Sequence, residues 1–351
     1  MRLRSSQTLV FSLQAQGIAA FNYLTNSTFE CDPDLLGLLS SLDAWSELEK
    51  VAALVPAIPP KELEETLQSL VEVNALVEEG SALAGKEDEL SREWKWGVPA
   101  ALFHFSVQNR QHMSLEETET LQRERIADRP QPPLYLRHDG AGSDCIKLPP
   151  VLHSSELMEL MAKRRTIRSA LPVPVTLTQL AECLFAGMGI TGRTSNCVGE
   201  LPLSMTPSGG ARNPYEAYVY ARSIAGLDPG VYHYSAADHS LARQRTNDLP
   251  LPSALLGGQA WADEMACVII LSAFLERSMW KYDDANAYRV VLIEAGHIGQ
   301  NIMLAATRHG LSACPTAALN HEAVQRVLGT GNQATRSPVY ALTLAYPGTT
   351  Q

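Results

Sequence analysis

"TPSGGARNPYEAYVY", Thr206 to Tyr220, sets a proline, two adjacent glycines, an arginine and a second proline directly before a run that alternates as a β-strand. Gly209 and Gly210 carry no Cβ, so a ligand can approach the backbone closely and meet consecutive N–H groups. An ordinary strand-entry loop has the same composition, and the stretch alone does not separate the two. Working outward, "GVYHYS" (230–235) alternates again, "CVIILSAFL" (267–275) is a continuous apolar run of the kind a buried central strand needs, and "SPVYALTLAYP" (337–347) supplies a last strand. Helical segments lie between and before them. "SSELMELMAKRRTIRSA" (154–170) is capped and ends in basic residues, "LTQLAECLFAGMGI" (177–190) is apolar, and "YRVVLIEAGHIGQNIMLAATRHG" (288–310) is apolar nearly all round, as in a buried core helix. Strands with hairpin-like links mixed with helices predict the α+β class rather than a doubly wound sheet.

The first third reads differently. Asp32-Pro33-Asp34 and Ser46-Glu47-Leu48-Glu49 are helix starts, and Leu63, Leu67, Leu70 and Val71 recur at helical spacing before the short strand and turn of "LVEEGS". Helices from about residue 18 to 85 and a small hairpin predict a winged-helix-like domain. Its helices carry acids where a phosphate reader carries Lys and Arg, which points to a peptide-binding or structural role. "EWKWGVPAALFHFSVQN" (93–109) is aromatic-rich and reads as a helix or as a strand then a helix, and "RIADRPQPPLYLRHDGAGSDCIKLPP" (125–150) reads as a linker. The expected division is a winged-helix-like helical domain over 1–90, a connecting segment over 91–150, and a domain of mixed helices and strands over 151–351.

The 351 residues carry a formal net charge of -10, which argues against nucleic acid as a partner. No apolar run approaches the roughly 20 residues of a membrane span. Polar Ser12, Gln14 and Gln16 interrupt the apolar N-terminal stretch, so a signal peptide is not expected and a cytoplasmic location is. The six cysteines show no Cys-x-x-Cys spacing, so neither zinc nor a disulfide framework is expected.

Several motifs compete with plainer readings. "GMGITG" (187–192) matches the dinucleotide glycine pattern but follows a helix and enters the polar "RTSNCVGE", so Gly187 or Gly189 reads as a helix C-cap. Arg164, Arg165, Thr166 and Arg168 make a phosphate-sized basic site, or simply a basic helix end. Lys281 and Tyr282 stand side by side after the "CVIILSAFLERSM" strand. The ammonium favours the phenolate and desolvation favours the neutral amine, so either can serve as a base; a solvent-facing loop is the plain alternative. Glu294 and His297, at i and i+3, read as a satisfied core pair or an interface contact. "GLSACPTAALN" (310–320) reads as a loop whose Pro315 marks a turn.

The order of these pieces resembles the SagB/McbC-type oxidoreductases of the nitroreductase superfamily, from "RRTIR" through "TPSGGARNPYEAYVY", "GVYHYS", "WKYDDANAYR" and "EAGHIGQN" to "GLSACPTAAL". The resemblance covers Ser154 to the C-terminus and, more loosely, the N-terminal region. It implies a nitroreductase-like fold, a central mostly antiparallel sheet flanked by helices, and FMN held at the interface of an intertwined homodimer. Arg164, Thr166 and Arg168, with Arg165 adjacent, match the phosphate- and ribityl-binding motif. Pro207, Ser208, Gly209, Gly210 and Arg212 match the loop that reaches the flavin from the partner subunit, and Pro315, Thr316, Ala317 and Ala318 match the loop beside the isoalloxazine. Ala317-Ala318 stand where the family often has a glycine. Lys281 and Tyr282 match the catalytic pair of the azoline dehydrogenases. The implied activity is oxidation of thiazolines or oxazolines in a peptide or carrier-bound peptide, with a cyclodehydratase as a candidate partner. The alternatives are an NAD(P)H-dependent nitroreductase-type enzyme and a flavin-binding partner subunit without turnover of its own.

Overall fold

The computed structural model describes residues 2–15, 17–109, 113–128, 149, 155–246, 249–330 and 334–348. Of the expected linker, 129–148 and 150 lie outside the described residues, as does Cys145. The chain begins with β1 (Arg2–Ser5) and an antiparallel meander of β2 (Leu9–Gln14), β3 (Gly17–Asn22) and β4 (Ser27–Cys31). The expected helical region therefore starts later, at α1 (Pro33–Ser41), where the Asp32 side chain accepts from the Leu35 N–H as a helix cap. Next come β5 (Ser46–Glu47), α2 (Leu48–Leu54), α3 (Pro60–Glu72) and β6 (Leu76–Glu78). Ser46 lies in β5 and is not a cap; Glu47 takes that position without a side-chain bond. The sheet order is β5-β1-β6. The helices close a core over it through Leu3, Leu39, Leu63, Leu67 and Leu76. Three helices packed against a small antiparallel sheet make up this first region.

The rest of the chain runs through α4 (Ala82–Glu93), α5 (Gly97–Ser106), α6 (Leu115–Asp128), α7 (Glu156–Lys163), β7 (Val175–Thr176) and α8 (Leu177–Met188). It continues with β8 (Ile190–Asn196), β9 (Gly199–Ser204), β10 (Tyr215–Ala221), β11 (Ile224–Ala225), β12 (Gly230–Ser235), β13 (Ser240–Arg243), α9 (Pro252–Leu255) and β14 (Cys267–Phe274). The last elements are α10 (Glu276–Met279), α11 (Asn286–Arg308), β15 (Ser312–Thr316), α12 (His321–Leu328) and β16 (Arg336–Ala345). Six strands form one sheet in the order β13-β12-β10-β14-β16-β15, every pair antiparallel. β14 explains its own apolar run. Ile269 and Leu271 join the core with Leu180 and Leu184 of α8 and Ile298 and Ile302 of α11, while Val268 and Ile270 pack with Leu255 of α9 and Val324 and Val327 of α12. A strand covered on both faces has no polar side, and truncating Ile269 or Ile270 to Ala costs about 2–5 kcal/mol.

Four local expectations are corrected. α11 is not buried all round: Val290 is 38% and Ile293 52% exposed, with Gly296 and His297 also exposed on that side. "RTSNCVGE" forms most of the β8–β9 hairpin rather than a loop. Ser312–Thr316 is a strand, and Pro315 is accommodated because β15 lies at the sheet edge. The "LERSM" part of the expected strand turns into α10, which carries Lys281 and Tyr282 past the end of β14. The decoy reading of "GMGITG" stands: Gly189 caps α8 and the chain goes on into β8, while Gly187 sits inside the helix against Ile302.

Candidate functional site

The structure gathers the expected residues into two groups. The first lies along the sheet edge. α7 ends at Arg164, and the extended segment after it is fastened to β15 by Ser312, whose hydroxyl accepts from the Ile167 N–H (3.2 Å) and donates to the Ile167 carbonyl (3.1 Å). That places Arg168 beside Thr316 and Ala318, and all three line a cavity of about 380 Å3 together with Gln259 and Trp261. The Arg168 guanidinium lies 5.8 Å from the Trp261 ring centroid. Thr316 is buried, and its hydroxyl oxygen accepts from Gln259 Nε2 (2.9 Å) and from the Ala318 N–H (3.0 Å). Arg165 is exposed and donates to the carbonyls of Ala162 and Arg164, both at 2.7 Å; Thr166 is exposed and Arg164 half-buried. Among the described residues no carboxylate pairs with Arg164, Arg165 or Arg168. Ala317 departs from its neighbours. It is exposed and lines a separate cavity of about 560 Å3 with Tyr288 and Tyr340. Pro315 is half-buried within β15.

The second group is built around the glycine loop. Gly210 has φ 63°, and a Cβ there would meet Tyr282 Oη at 2.3 Å and Lys281 Nζ at 2.5 Å. Two separate constraints thus call for glycine: the left-handed backbone and the close approach. A Cβ on Gly209 would come 2.9 Å from Val290 Cγ1 of α11. The Lys281 ammonium approaches the Gly210 carbonyl (3.5 Å) and lies 5.3 Å from the Tyr282 ring centroid. Ser208 accepts from the Asn213 N–H (2.8 Å), which folds the loop back on itself. Arg212 donates to the Arg277 carbonyl (2.9 Å) and stacks 4.7 Å over Trp280. Pro207 is exposed. Gly209 and Tyr282 line a cavity of about 320 Å3 that shares no residue with the one at Arg168.

Several residues here were not anticipated. Trp96 is buried and donates its indole N–H to the Tyr282 carbonyl at 2.8 Å, so the aromatic segment before α5 props the Lys281–Tyr282 turn. In the same aromatic cluster, His104 shares a 2.7 Å hydrogen bond with Tyr288 of α11. Burial, and then His321, push His104 down to about 3. The density of aromatics in "EWKW" was the available signal, but nothing in it names Tyr282. Glu294 and His297 are not a pair: Glu294 is buried and accepts from the Gly209 N–H (3.3 Å), while His297 faces outward. Gln259 and Trp261 have no sequence signal at all. Glu216 is bonded to His233 Nε2 (2.7 Å) and paired with Arg277, an arrangement made by diagonal neighbours on β10 and β12 and by α10. Burial pushes Glu216 up, yet His233 and Arg277 outweigh it and hold the carboxyl below its usual range.

The donor set at the sheet edge suits a phosphate-bearing ligand: the Arg168 guanidinium, with no acid partner among the described residues, an aromatic face and backbone N–H groups at an edge strand. The second group offers a phenol and a carboxyl on the wall of a small cavity, with the exposed Lys281 amine beside the phenol, groups capable of proton transfer.

The model of the nitroreductase family matches residues 161–346. A protein of Methanocaldococcus jannaschii named as a nitroreductase is 32% identical over 180 residues, covering 51% of this chain and 87% of its own. The trifolitoxin-processing protein TfxB of Rhizobium leguminosarum bv. trifolii is 35% identical over 136 residues, 37% of this chain and 36% of TfxB, so the match spans little more than a third of that relative. Among solved structures, the E. coli microcin synthetase McbBCD complex with truncated pro-MccB17 bound contains a chain with 17% identity and a TM-score of 0.49, covering 80% of this chain and 98% of that one. With the basic segment, the glycine loop, the antiparallel sheet and the edge strand all inside the matched span, the chain belongs to the nitroreductase family.

Proposed function

We propose that the protein is an FMN-dependent oxidoreductase that dehydrogenates an azoline ring, or a related Cα–Cβ bond, in a peptide or carrier-bound peptide of a natural-product pathway. The observation that carries this reading is the Lys281–Tyr282 pair packed against Gly210, with the ammonium 3.5 Å from its carbonyl. A reductase that only relays electrons has no need of a base held in this way. The kinship with a protein named for processing trifolitoxin supports a peptide as substrate.

Arg164, Arg165 and Arg168 would hold the FMN phosphate, with Thr166, Thr316 and the backbone of Pro315 to Ala318 along the rest of the molecule. FMN bound there would supply the two-electron acceptor for the hydride that leaves Cβ. Lys281 or Tyr282 would take the acidic Cα proton. Pro207, Ser208, Gly209, Gly210 and Arg212 would reach the flavin of a second copy. The separation of the two residue groups into cavities without a common residue supports a homodimer, as does the apolar stripe of Val290 and Ile293 on α11. A cyclodehydratase is the candidate further partner.

The test is mass spectrometry of a thiazoline-bearing peptide after exposure to the FMN-loaded protein. Loss of two hydrogens supports the reading; an unchanged peptide with flavin bound overturns it. A second reading, an NAD(P)H-dependent nitroreductase-type enzyme, is favoured by the name of the M. jannaschii relative. Rapid bleaching of the flavin by NADPH, with the peptide untouched, would select it.

A further inference from the structure

Glu294 stands in two walls at once. On one side it lines the cavity of Tyr282 and Gly209; on the other it lines a second cavity, also about 320 Å3, that reaches Asn213, Tyr215, Glu216, His233 and Arg277. The side chain is 5% exposed, yet it is not buried among apolar groups alone. Its Oε2 accepts from the Gly209 N–H at 3.3 Å, and Ser208 of the same loop bonds it as well. The glycine loop that touches Lys281 and Tyr282 is thus anchored on this carboxyl.

We propose that Glu294 is the proton outlet of the site, passing the proton taken up at the Lys281–Tyr282 pair from the first cavity to the second. This rests on the dehydrogenase reading above. The proton removed from the substrate Cα resides first on the Lys281–Tyr282 base. Transfer to the Glu294 carboxylate makes the carboxylic acid and restores the base. Release to water in the second cavity restores the carboxylate, so one proton enters, one leaves, and Glu294 exchanges no electrons.

The surroundings suit this role. Burial pushes the Glu294 carboxyl up to about 7, against the smaller opposing pull of the Ser208 and Gly209 hydrogen bonds. Near neutral pH both forms are therefore present, as acceptance and release require. The groups facing it are Tyr282 and Asp284 from the turn before α11, Tyr215 and Glu216 from β10, His233 from β12 and Arg277 from α10. Arg277 and His233 are engaged by Glu216, and the Tyr215 hydroxyl donates to the Val291 carbonyl (2.8 Å). Burial and then the Glu294 charge hold that phenol protonated well above its usual range. It is therefore no competitor for the proton.

The experiment uses the full-length FMN-loaded protein and its Glu294→Gln and Glu294→Asp variants. Infrared difference spectra between pH 6 and pH 8 should show a protonated carboxyl band that titrates in the wild type and is missing from Glu294→Gln. With a thiazoline-bearing peptide as probe, wild-type kcat should rise with pH through a midpoint near 7. Glu294→Gln should lose that limb and run at least about tenfold slower, and Glu294→Asp should restore the limb at a shifted midpoint. A purely structural anchor for Gly209 would alter thermal stability and flavin content but leave the limb in place. An intact limb in Glu294→Gln, or no titrating band, overturns the proposal. If wild type leaves the peptide unchanged while the band titrates, the dehydrogenase reading fails and so does the outlet role, while the titration of Glu294 stands.

Discussion

The two residue groups differ in how finished they are. The glycine-loop group is already locked: Gly210 fits under Tyr282 and Lys281, Ser208 folds its own loop, Glu294 ties that loop to α11, and Trp96 fixes the Tyr282 carbonyl. The sheet-edge group is open. Its arginines have no acid partners among the described residues, and Arg168 leans on Trp261 beside a cavity. A region whose polar groups satisfy one another needs no ligand to be stable, whereas one that leaves like charges together gains most when an anion arrives. The contrast matches the proposed division, chemistry at the first group and binding at the second.

Breaking the chemical half should have the largest effect. Lys281→Ala and Tyr282→Phe should each lower kcat by about 10²–10⁴-fold while flavin content stays near one per chain, measured by absorbance and peptide turnover. Loss of flavin along with activity would erase the distinction. Arg168→Ala should do the reverse, weakening FMN binding by about 10–100-fold, the value of one charge-assisted contact, with kcat at saturating FMN little changed. Flavin titration by fluorescence quenching reads this directly.

Trp96→Phe sharpens the comparison, because it removes only the hydrogen bond to the Tyr282 carbonyl and keeps most of the ring. The expected loss is about 1 kcal/mol, seen as a kcat several-fold lower with flavin affinity unchanged. The smallest effects are pH slopes in stability. His104 and His321 are buried neutral, with folded values pushed down to about 3 and about 4 from an ordinary 6.5. Their contribution is complete above 6.5 and is lost as pH falls toward 4, so Tm should drop over that range and less steeply in His104→Asn. Glu294 has the opposite sign. Its folded value lies above its ordinary one, so its contribution is complete below 4.5 and is lost as pH rises through about 7, and Glu294→Gln should gain stability relative to wild type at pH 8.

Much of this was legible in the residues. The apolar run of β14, the alternation of β10 and β12 and the Asp32 cap are local signals, set by period and by short-range hydrogen bonds. The meander of residues 9–31 was missed because its alternation is weak on an exposed sheet: Leu13 is 88% exposed. β15 was hidden by Pro315, which an edge position tolerates. In the site, the motifs carried Lys281, Tyr282, Gly210 and Arg168, but not their supports. Trp96 lies 186 positions from Tyr282 and Glu294 lies 85 from Gly209, and no local pattern encodes such contacts. The exposed side of α11 escaped notice because a helix apolar all round reads alike whether its outer stripe meets its own core or a second copy.

The most direct measurement is complementation between the two halves. Arg168→Ala and Tyr282→Phe chains, each inactive alone at limiting FMN, would be co-expressed and purified together. In a homodimer where each site takes its sheet edge from one copy and its glycine loop and Lys281–Tyr282 pair from the other, the mixture should regain about a quarter of wild-type turnover, since half the particles hold one intact site of two. A mixture no more active than its components, in particles of a single chain, would contradict the account.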